Sequence, residues 1–350
     1  MRVAVIGASG NVGTSVLRAL GDEPAVDSIV GVARRIPDAS FPKVEWRAAD
    51  VASSALVPVL SGADAVVHLA WQIQPGRDRR QVYEANVTGS ARVFAAAAAA
   101  GARTLVYASS VGAYSPGPKD RRVDESWPTT GIESSFYSRH KAEVERVLDA
   151  FEGEHPGIRI VRLRPGLIFK RDAASGIRRL FAGPFLPGSI VRPELLPVLP
   201  LPARLRFQAV HSLDVGDAYR RAVVSDARGP FNIAAEPVLD RDELGRIFGA
   251  RPVPAPERAL RAAAAATYRL RLQPSEPGWL DMGLQAPLMD VTRAREVLGW
   301  QPHRSSIEAL QDLLAGMRAG AGIETPPLEP GGAGPGRLRE LLSGIGSRTG

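Results

Sequence analysis

The sequence predicts an α/β fold, in which a doubly wound parallel sheet is followed by a smaller C-terminal α/β lobe. Three observations lead to this prediction. Short β-branched runs alternate with helical patterns from the first residues onward. A group of glycines directly follows the first apolar run. Beyond Pro165 the alternation stops, and frequent prolines interrupt regular structure.

The alternation of strands and helices fills residues 1–165. Predicted strands cover 3–6, 29–32, 44–46, 65–69, 104–108 and 158–163, and predicted helices cover 12–20, 81–100 and 138–151. Strands that are separated by helices of this length imply right-handed crossovers and therefore a parallel sheet. We expect one domain over 1–165.

The second part of the chain lacks the regular alternation of strands and helices. Residues 166–320 are predicted to form mainly a substrate-binding lobe, with helices over 214–224, 241–248, 257–270 and 305–318. Residues 321–350 contain a Gly/Pro-rich run that predicts a flexible tail. The apolar, proline-rich stretch 180–205 suits a substrate of low charge or ordinary packing of the lobe.

Composition excludes several classes of function. The 350 residues include no Cys, which excludes thiol catalysis and disulfides, and the five His lack metal-like spacing, so no metal is expected. The net charge of +7 would suit a polyanion, but the 44 basic residues are interspersed with acidic ones, so no nucleic-acid partner is expected. We see no signal peptide and no apolar run long enough for a membrane span, and expect a cytoplasmic protein without a membrane partner.

Three glycines mark a candidate phosphate-binding turn. Gly7 would allow a tight turn, Gly10 would let the backbone approach a pyrophosphate, and Gly13 would allow close packing of helix and strand. The N-terminus of the following helix adds free N–H groups. The position after a strand, more than the spacing, favours a Rossmann-type dinucleotide site over an ordinary Gly-rich turn. The predicted cofactor-binding residues of this turn are Gly7, Ser9, Gly10, Asn11, Val12 and Gly13.

The end of the second predicted strand bears on the choice of cofactor. An NAD-specific site would carry Asp or Glu there to bind the ribose hydroxyl, whereas this chain has Arg34 and Arg35. Two guanidinium groups match a 2′-phosphate, which favours NADP over NAD. The alternative is that these arginines are only solvated surface residues.

Tyr137 and Lys141 form a candidate acid/base pair, since four residues place them on one face of a helix. A Lys ammonium near a phenol stabilises the phenolate, and we expect it to lower the Tyr pKa from about 10 toward neutral pH. Such a group can exchange a proton with an alcohol or ketone oxygen.

The order of these motifs resembles that of a known family. Ser109 and Ser110 end the strand "TLVYASS", "RPG" follows the next strand, and "TRAREVLGWQP" lies near the end. Together with the glycine turn and the Tyr-x-x-x-Lys pattern, they resemble the extended short-chain dehydrogenase/reductase family, the NAD(P)-dependent epimerase/dehydratase group, over roughly residues 1–318. The family implies hydride transfer at a secondary alcohol or ketone carbon of a small-molecule substrate.

The resemblance implies three catalytic residues. Ser110 would bind the substrate oxygen, Tyr137 would be the acid/base, and Lys141 would hold the nicotinamide ribose and tune the tyrosine. Ser109 would be the structural neighbour of Ser110, although the two roles can be reversed. The family commonly dimerises through the helices that carry Tyr137 and Asn86, so a homodimer is a candidate assembly.

The resemblance also implies which residues line the cofactor. Beyond the glycine turn and the two arginines, they are Asp50, Val51, Leu69, Ala70, Trp71, Asn86, Tyr137, Lys141, Pro165 and Gly166. Asp50 would contact the adenine, but an Asp there equally suits the N-cap of a helix starting near Ser53. His68 is expected to be a packed strand-end residue. His211 and Asp214 resemble a structural segment, about 206–233, that returns the chain to the first domain.

Two departures from the family pattern concern the substrate. Val111 and Gly112 follow Ser110 where sugar-nucleotide dehydratases carry an acidic pair, so dehydration is disfavoured. The usual diphosphate clamp is incomplete, although Arg204 and Arg206 could substitute for it. We therefore expect an oxidoreductase, with a sugar-nucleotide 4-epimerase that retains NAD and a non-catalytic NADP-sensing protein as alternatives.

Overall fold

A seven-stranded parallel sheet forms the centre of the molecule, in a computed structural model that describes residues 1–73, 78–181, 197–270 and 275–329. The strands are β1 Arg2–Ile6, β2 Ser28–Ala33, β3 Val44–Ala48, β4 Ala65–His68, β5 Thr104–Ala108, β6 Arg122–Val123, β7 Arg159–Pro165, β8 Leu167–Phe169, β9 Val198–Leu201, β10 Arg206–Phe207, β11 Ala209–His211, β12 Gly229–Ile233, β13 Leu239–Asp240, β14 Arg251–Pro254 and β15 Leu288–Met289. The sheet order is β12-β7-β5-β4-β1-β2-β3, and every neighbouring pair in it is parallel. The predicted doubly wound α/β class is thereby confirmed.

Helices cover both faces of this sheet. They are α1 Asn11–Gly21, α2 Leu56–Leu60, α3 Arg79–Tyr83, α4 Gly89–Ala99, α5 Phe136–Glu154, α6 Ala174–Phe181, α7 Ser212–Val224, α8 Arg241–Phe248, α9 Glu257–Arg269, α10 Gly278–Gln285, α11 Thr292–Leu298 and α12 Ser306–Ala319. The helix predicted over 81–100 is divided, because the π-helical turn Glu84–Thr88 lies between α3 and α4. Among the described residues, no helix combines the length and the apolar character needed to cross a bilayer.

The sequence pattern of β1 explains how the sheet separates two cores. Successive side chains of a strand point to opposite faces. Val3 and Val5 accordingly join the cluster beneath α1 and α7, whereas Ala4 and Ile6 join the cluster beneath α4 and α5. Both faces are therefore buried, as the near-continuous apolar runs require.

The strand order reverses at β1, because β2 lies on one side of it and β4 on the other. In such sheets a crevice opens at the carboxyl ends of the strands at this reversal, and ligands bind there. The glycine turn follows β1 directly and therefore lies at this crevice.

The C-terminal part is built from small two-stranded sheets and helices. Three pairs, β8 with β11, β9 with β14 and β10 with β13, surround a third apolar core that includes Leu310 and Leu313 of α12, whereas β6 pairs with β15 and Met289 of β15 belongs to a separate small cluster. Within the predicted returning segment, α7 packs on α1 and β12 becomes the edge strand beside β7.

The start of the predicted tail is packed, which differs from our expectation. Leu328 is buried, and its carbonyl accepts a hydrogen bond from the Ile323 N–H at 3.1 Å. The apolar side chain of Leu328 explains why the chain up to residue 329 folds back. The rest of the tail, 330–350, and most of the proline-rich stretch, 182–196, lie outside the described residues.

Candidate active site

The glycine turn has the geometry of a pyrophosphate cradle. Gly7 has φ +84°, and a Cβ on it would lie 2.7 Å from the Ala70 backbone nitrogen. A Cβ on Gly13 would lie 2.4 Å from the Gly7 carbonyl oxygen, so neither position admits a larger residue. Gly10 is the N-cap of α1 and supplies no side-chain cap, which leaves the first N–H groups of the helix available to an anion. The residues present therefore fit the diphosphate of a dinucleotide.

A buried lysine, which sequence reasoning missed, supports this turn. Lys170 follows β8, and its Nζ donates to the Asn11 carbonyl at 2.8 Å and to Thr14 Oγ1 at 2.6 Å. Burial lowers the pKa of Lys170 to about 8. Of the other predicted turn residues, Ser9 is buried and Val12 packs against the core beneath α1. The rarity of Lys in this chain was the one available signal for Lys170.

Arg34 and Arg35 lie where the second strand ends, at the crevice. Both side chains are exposed, and neither forms a hydrogen bond or ion pair within the described part of the chain. Their guanidinium groups are therefore free to bind a phosphate.

Asp50 does not cap a helix near Ser53, contrary to one of the two interpretations of the sequence. Its carboxylate accepts from the Ala52 N–H at 2.9 Å, and α2 begins only at Leu56 with Ala55 as its N-cap. The intervening residues form a turn instead. Val51 is buried, as its apolar side chain packs 2.8 Å from where a Cβ of Gly89 would lie.

Asn86 holds the loop that follows β4. Its side chain accepts from the Gln72 N–H at 2.7 Å and donates to the Gln72 carbonyl at 3.2 Å. Asn86 is fully buried on the π-helical turn, which aims its amide at the loop containing Leu69, Ala70 and Trp71. The loop next to the glycine turn is thus fixed by two hydrogen bonds.

His68 is a packed residue in the structure, as expected. Its Nε2 lies 2.9 Å from Ser90 Oγ, and its ring contacts Phe94 edge-on. Complete burial lowers its pKa to about 3, so the imidazole is neutral at physiological pH.

The structure brings Ser110, Tyr137 and Lys141 together beyond the carboxyl end of β5. Tyr137 lies in the first turn of α5, where Ser135 is the N-cap, and its ring and the Ser110 hydroxyl both lie against Gly112. Ser109 points elsewhere, because its hydroxyl donates to Glu145 at 2.5 Å. Ser110 rather than Ser109 is therefore the serine beside Tyr137.

The electrostatics of Tyr137 differ from the sequence expectation. Burial raises the pKa of Tyr137 to about 12, and the nearby Ser110 hydroxyl offsets only part of this rise. The expected lowering by Lys141 was wrong for this arrangement, because Lys141 Nζ donates to the Ala108 carbonyl at 2.6 Å and lies 6.0 Å from the Tyr137 ring centre. The phenol is therefore protonated at neutral pH.

Lys141 is held between a carbonyl and an aromatic face. Its Nζ lies 3.5 Å from the ring centre of Trp71, within the range of a cation–π contact. Burial holds the pKa of Lys141 well below its usual value, while the negative charge of Glu145, one turn further along α5, opposes this change. Neither Trp71 as a partner of the lysine nor Glu145 was foreseen.

Glu145 is the centre of a buried charge network behind the catalytic residues. Its carboxylate accepts from Arg164 at 2.8 and 3.0 Å and from Arg162 at 3.1 Å. These arginines lie on β7, so the network ties α5 to the sheet. The spacing of Glu145 four residues after Lys141 was the only signal in the sequence.

A cavity of about 180 Å³ opens beside Tyr137. Its wall includes Gly166, which was expected near the nicotinamide, and Trp279, whose ring stacks on that of Tyr137 at 4.9 Å. A Cβ on Gly166 would lie 2.5 Å from the Gln208 carbonyl oxygen, and Pro165 ends β7 directly before it. The lining is mostly apolar, with Lys119 as its ionisable member.

Gly112, the second residue after Ser110, is closely packed against its neighbours. A Cβ on Gly112 would lie 2.9 Å from Tyr137 Cε1 and 3.0 Å from Met282 Sδ. A larger side chain there would displace the tyrosine. Arg204 and Arg206 are both exposed near Lys119, and Arg206 donates to the Lys119 carbonyl at 3.1 Å.

Comparison with known proteins gives one family and several relatives. The profile of the NAD dependent epimerase/dehydratase family matches residues 3–180. An uncharacterised protein of Mycobacterium tuberculosis is 29% identical over 329 residues, which are 92% of this chain and 31% of that protein. The chain thus spans about a third of the length of this relative. L-arabinose 1-dehydrogenase (NAD(P)(+)) of Haloferax volcanii is 38% identical over 108 residues, 31% of this chain and 40% of that one.

Solved structures share the fold. UDP-glucuronic acid 4-epimerase from Bacillus cereus, in complex with UDP-glucuronic acid and NAD, superimposes with a TM-score of 0.66. It covers 91% of this chain and 99% of its own at 16% identity, which is a likeness of fold alone.

Proposed function

Because the chain belongs to the NAD dependent epimerase/dehydratase family, a family of enzymes, we propose that it interconverts a secondary alcohol and a ketone as a net oxidoreductase. The observation that carries this proposal is that Ser110 and Tyr137 lie together against Gly112, with Lys141 one helical turn further on. The three side chains lie at the carboxyl end of β5, on the crevice side of the sheet.

The chain's own residues would handle the substrate oxygen. A bound nicotinamide would supply or take up the hydride. In the reducing direction Tyr137 would give its proton to the ketone oxygen while Ser110 donates a hydrogen bond to the same oxygen. The raised pKa of Tyr137 supports this direction, since the phenol carries its proton at neutral pH. Lys141 would hold the ribose.

The residues that would hold the cofactor follow from the crevice. The glycine turn would hold the pyrophosphate, and Asp50 and Val51 would lie beside the adenine. The loop fixed by Asn86 would line the remaining part of the cofactor. Arg34 and Arg35, exposed and without partners among the described residues, support NADP as the preferred cofactor.

Substrate size and charge favour an oxidoreductase over the second candidate, a sugar-nucleotide 4-epimerase. The described lining of the small cavity is mostly apolar, with Lys119 as its one ionisable side chain, and the similarity to an NAD(P)-dependent sugar dehydrogenase supports redox chemistry. The fold shared with a 4-epimerase favours the alternative. Native mass spectrometry of the purified protein separates the two, because tightly retained NAD indicates an epimerase and an empty, NADPH-preferring site indicates a reductase.

Replacement of the tyrosine tests the chemistry. With NADPH and a panel of ketones, Tyr137→Phe is expected to lower kcat by roughly 100-fold or more, the usual contribution of a general acid. The affinity for NADPH should stay unchanged. Tyr83→Phe is the matched control, because Tyr83 lies on α3 and hydrogen-bonds Glu143 instead. Full turnover by Tyr137→Phe would remove the proposed role.

Replacement of an arginine tests the cofactor preference. Arg34→Ala is expected to weaken NADPH binding by about tenfold or more, the loss of one charge-assisted hydrogen bond, and to leave NADH binding unchanged. Arg258→Ala removes an exposed guanidinium of α9 and is the control. Equal affinities for NADPH and NADH in the unaltered protein would contradict the preference.

A further inference from the structure

Lys119 is a buried cation in the wall of the cavity beside Tyr137. Its Nζ donates to the Arg206 carbonyl at 2.8 Å and to the Gly283 carbonyl at 2.9 Å. An ammonium carries three N–H donors, so one of them has no acceptor among the described residues.

The charge of Lys119 has no counter-ion within the described part of the chain. Asp281, on the same helix as Gly283, forms an ion pair with Arg261 at 2.9 Å. The carboxylate of Glu236 is likewise occupied, by Arg122 at 2.8 Å. Asp120 follows Lys119 directly but is exposed and makes no ion pair with it.

The charged side chain that perturbs Lys119 is Arg204, which is also positive. Burial lowers the pKa of Lys119 to about 8, and the repulsion of Arg204 adds to this effect. Two carbonyls accept from the ammonium, but a buried charge without a counter-ion still costs free energy. An anion bound in the cavity would remove that penalty.

The dimensions of the cavity limit the rest of the ligand. Its volume is about 180 Å³, and an apolar cavity of about 150 Å³ is known to bind benzene, so one six-membered ring fits. Gln208, the other polar side chain that lines it, is already engaged with the backbone of Met289 at 2.7 and 3.1 Å. The remaining wall is apolar apart from the indole edge of Trp279.

We propose that this cavity selects a compact apolar substrate that carries a carboxylate, with the carboxylate bound by Lys119 and the reacting carbon on the side of Tyr137. The substrate class is therefore a keto acid or hydroxy acid whose apolar body is about the size of one ring. The orientation rests on the proposed function, because it takes Tyr137, stacked on Trp279 of the cavity wall, as the acid/base.

Calorimetric binding of two inert probes tests the inference on the full chain with NADP present. Benzoate and benzamide match in size and differ in charge. Benzoate is expected to bind at least tenfold more tightly, about 1.4 kcal/mol. In Lys119→Met the two probes should bind equally, whereas Lys43→Met, a lysine on the far side that bonds the Glu23 carbonyl, should keep the preference.

A third variant localises the binding to the cavity. A Cβ on Gly283 would meet only Leu205, at 4.0 Å, so Gly283→Leu can be accommodated and would fill the space. Both probes should then lose affinity by tenfold or more.

Equal affinity of the unaltered protein for benzoate and benzamide would overturn the proposal, and this comparison needs no variant to fold. Retention of the preference by Lys119→Met, or unchanged affinity of Gly283→Leu for both probes, would overturn it as well. The experiment tests the anion site independently of the proposed function, because probe binding requires no turnover. The preference for benzoate should therefore persist in Tyr137→Phe. Preferential benzoate binding without any keto acid reduction would therefore leave the anion site in place and remove the redox role.

Discussion

Replacement of Glu145 by Gln tests the buried charge network that ties α5 to the sheet. Glu145 is 1% exposed and accepts from Arg164 through both carboxylate oxygens. The amide keeps the shape of the side chain and removes its charge. Because Ser109 also donates to this carboxylate, the variant loosens the end of β5, next to Ser110.

The expected loss of stability in Glu145→Gln depends on which interaction partners Arg162 and Arg164 retain. Arg162 would retain ion pairs with Asp149 and with Glu152, the latter at 2.6 Å, so its charge stays compensated. Arg164 would retain only uncharged hydrogen-bond partners, while the Glu125 carboxylate attracts it without forming an ion pair. One buried guanidinium is then unpaired, for which the typical destabilisation is about 3–5 kcal/mol. We expect Glu145→Gln to lower the free energy of unfolding by that amount.

Urea unfolding followed by tryptophan fluorescence at pH 7 measures this loss. Glu154→Gln, an exposed position near the end of α5, is the matched control and should change the free energy of unfolding by less than about 0.5 kcal/mol. A loss of less than about 1 kcal/mol in Glu145→Gln would refute the reasoning, because Arg164 would then have found other compensation.

The same network predicts a dependence on pH. Burial opposes the ionisation of Glu145, but the bonds from Arg164 and Ser109 and the charge of Arg162 outweigh it and hold its pKa below the usual value. A lowered folded-state pKa stabilises the protein above the unfolded pKa, near 4.3, and this contribution disappears as the pH falls through the folded value. The stability difference between the unaltered protein and Glu145→Gln should therefore shrink below about pH 4.

Two further predictions concern the cofactor and the acid/base. Gly13→Ala places a Cβ 2.4 Å from the Gly7 carbonyl, so NADPH binding measured by fluorescence titration should fall by more than about tenfold. In the control Gly153→Ala the new Cβ meets nothing within 4 Å, and NADPH should bind normally. Normal binding by Gly13→Ala would mean that the turn does not hold the cofactor. Because burial raises the pKa of Tyr137 to about 12, the rate of reduction of a saturating, uncharged ketone should stay level from about pH 7 to pH 10, while alcohol oxidation rises with pH. A decline of the reduction rate near pH 7 would assign the proton to another group.

Local sequence patterns were enough to predict the parallel sheet and its α/β class. The apolar run of β1 before Gly7 and the helical pattern around Tyr137 each depend on residues only a few positions apart in the sequence. Such local patterns can be recognised without knowledge of the fold. The division of the helix predicted over 81–100 could not be read, because the π-helical turn is stabilised by the bond of Asn86 to Gln72 in another segment. Periodicity carries no information on such a contact.

Long-range pairing explains the parts of the site that remained unpredicted. Glu145 meets Arg164 only because β7 lies beside β5 and beneath α5, and Lys119 lines the cavity only because α10 and β10 close over it. The direction of the Tyr137 pKa change failed for a related reason. Sequence spacing placed Lys141 on the correct face, but the depth of burial and the carbonyl of Ala108, which decide the outcome, belong to the folded chain.

Because the chain returns to the central sheet at β12, the smallest fragment that can fold must include this late segment. The core beneath α1 combines Val3 and Leu17 with Phe231 of β12 and with the fully buried Trp300, whose indole N–H donates to the Asp214 carbonyl at 2.8 Å. A fragment ending near residue 180, where the family profile stops, would lack this half of the core. Gene fusion, domain shuffling or expression of a minimal fragment should therefore keep residues 1–329 together, because α12 and Leu328 are buried as well.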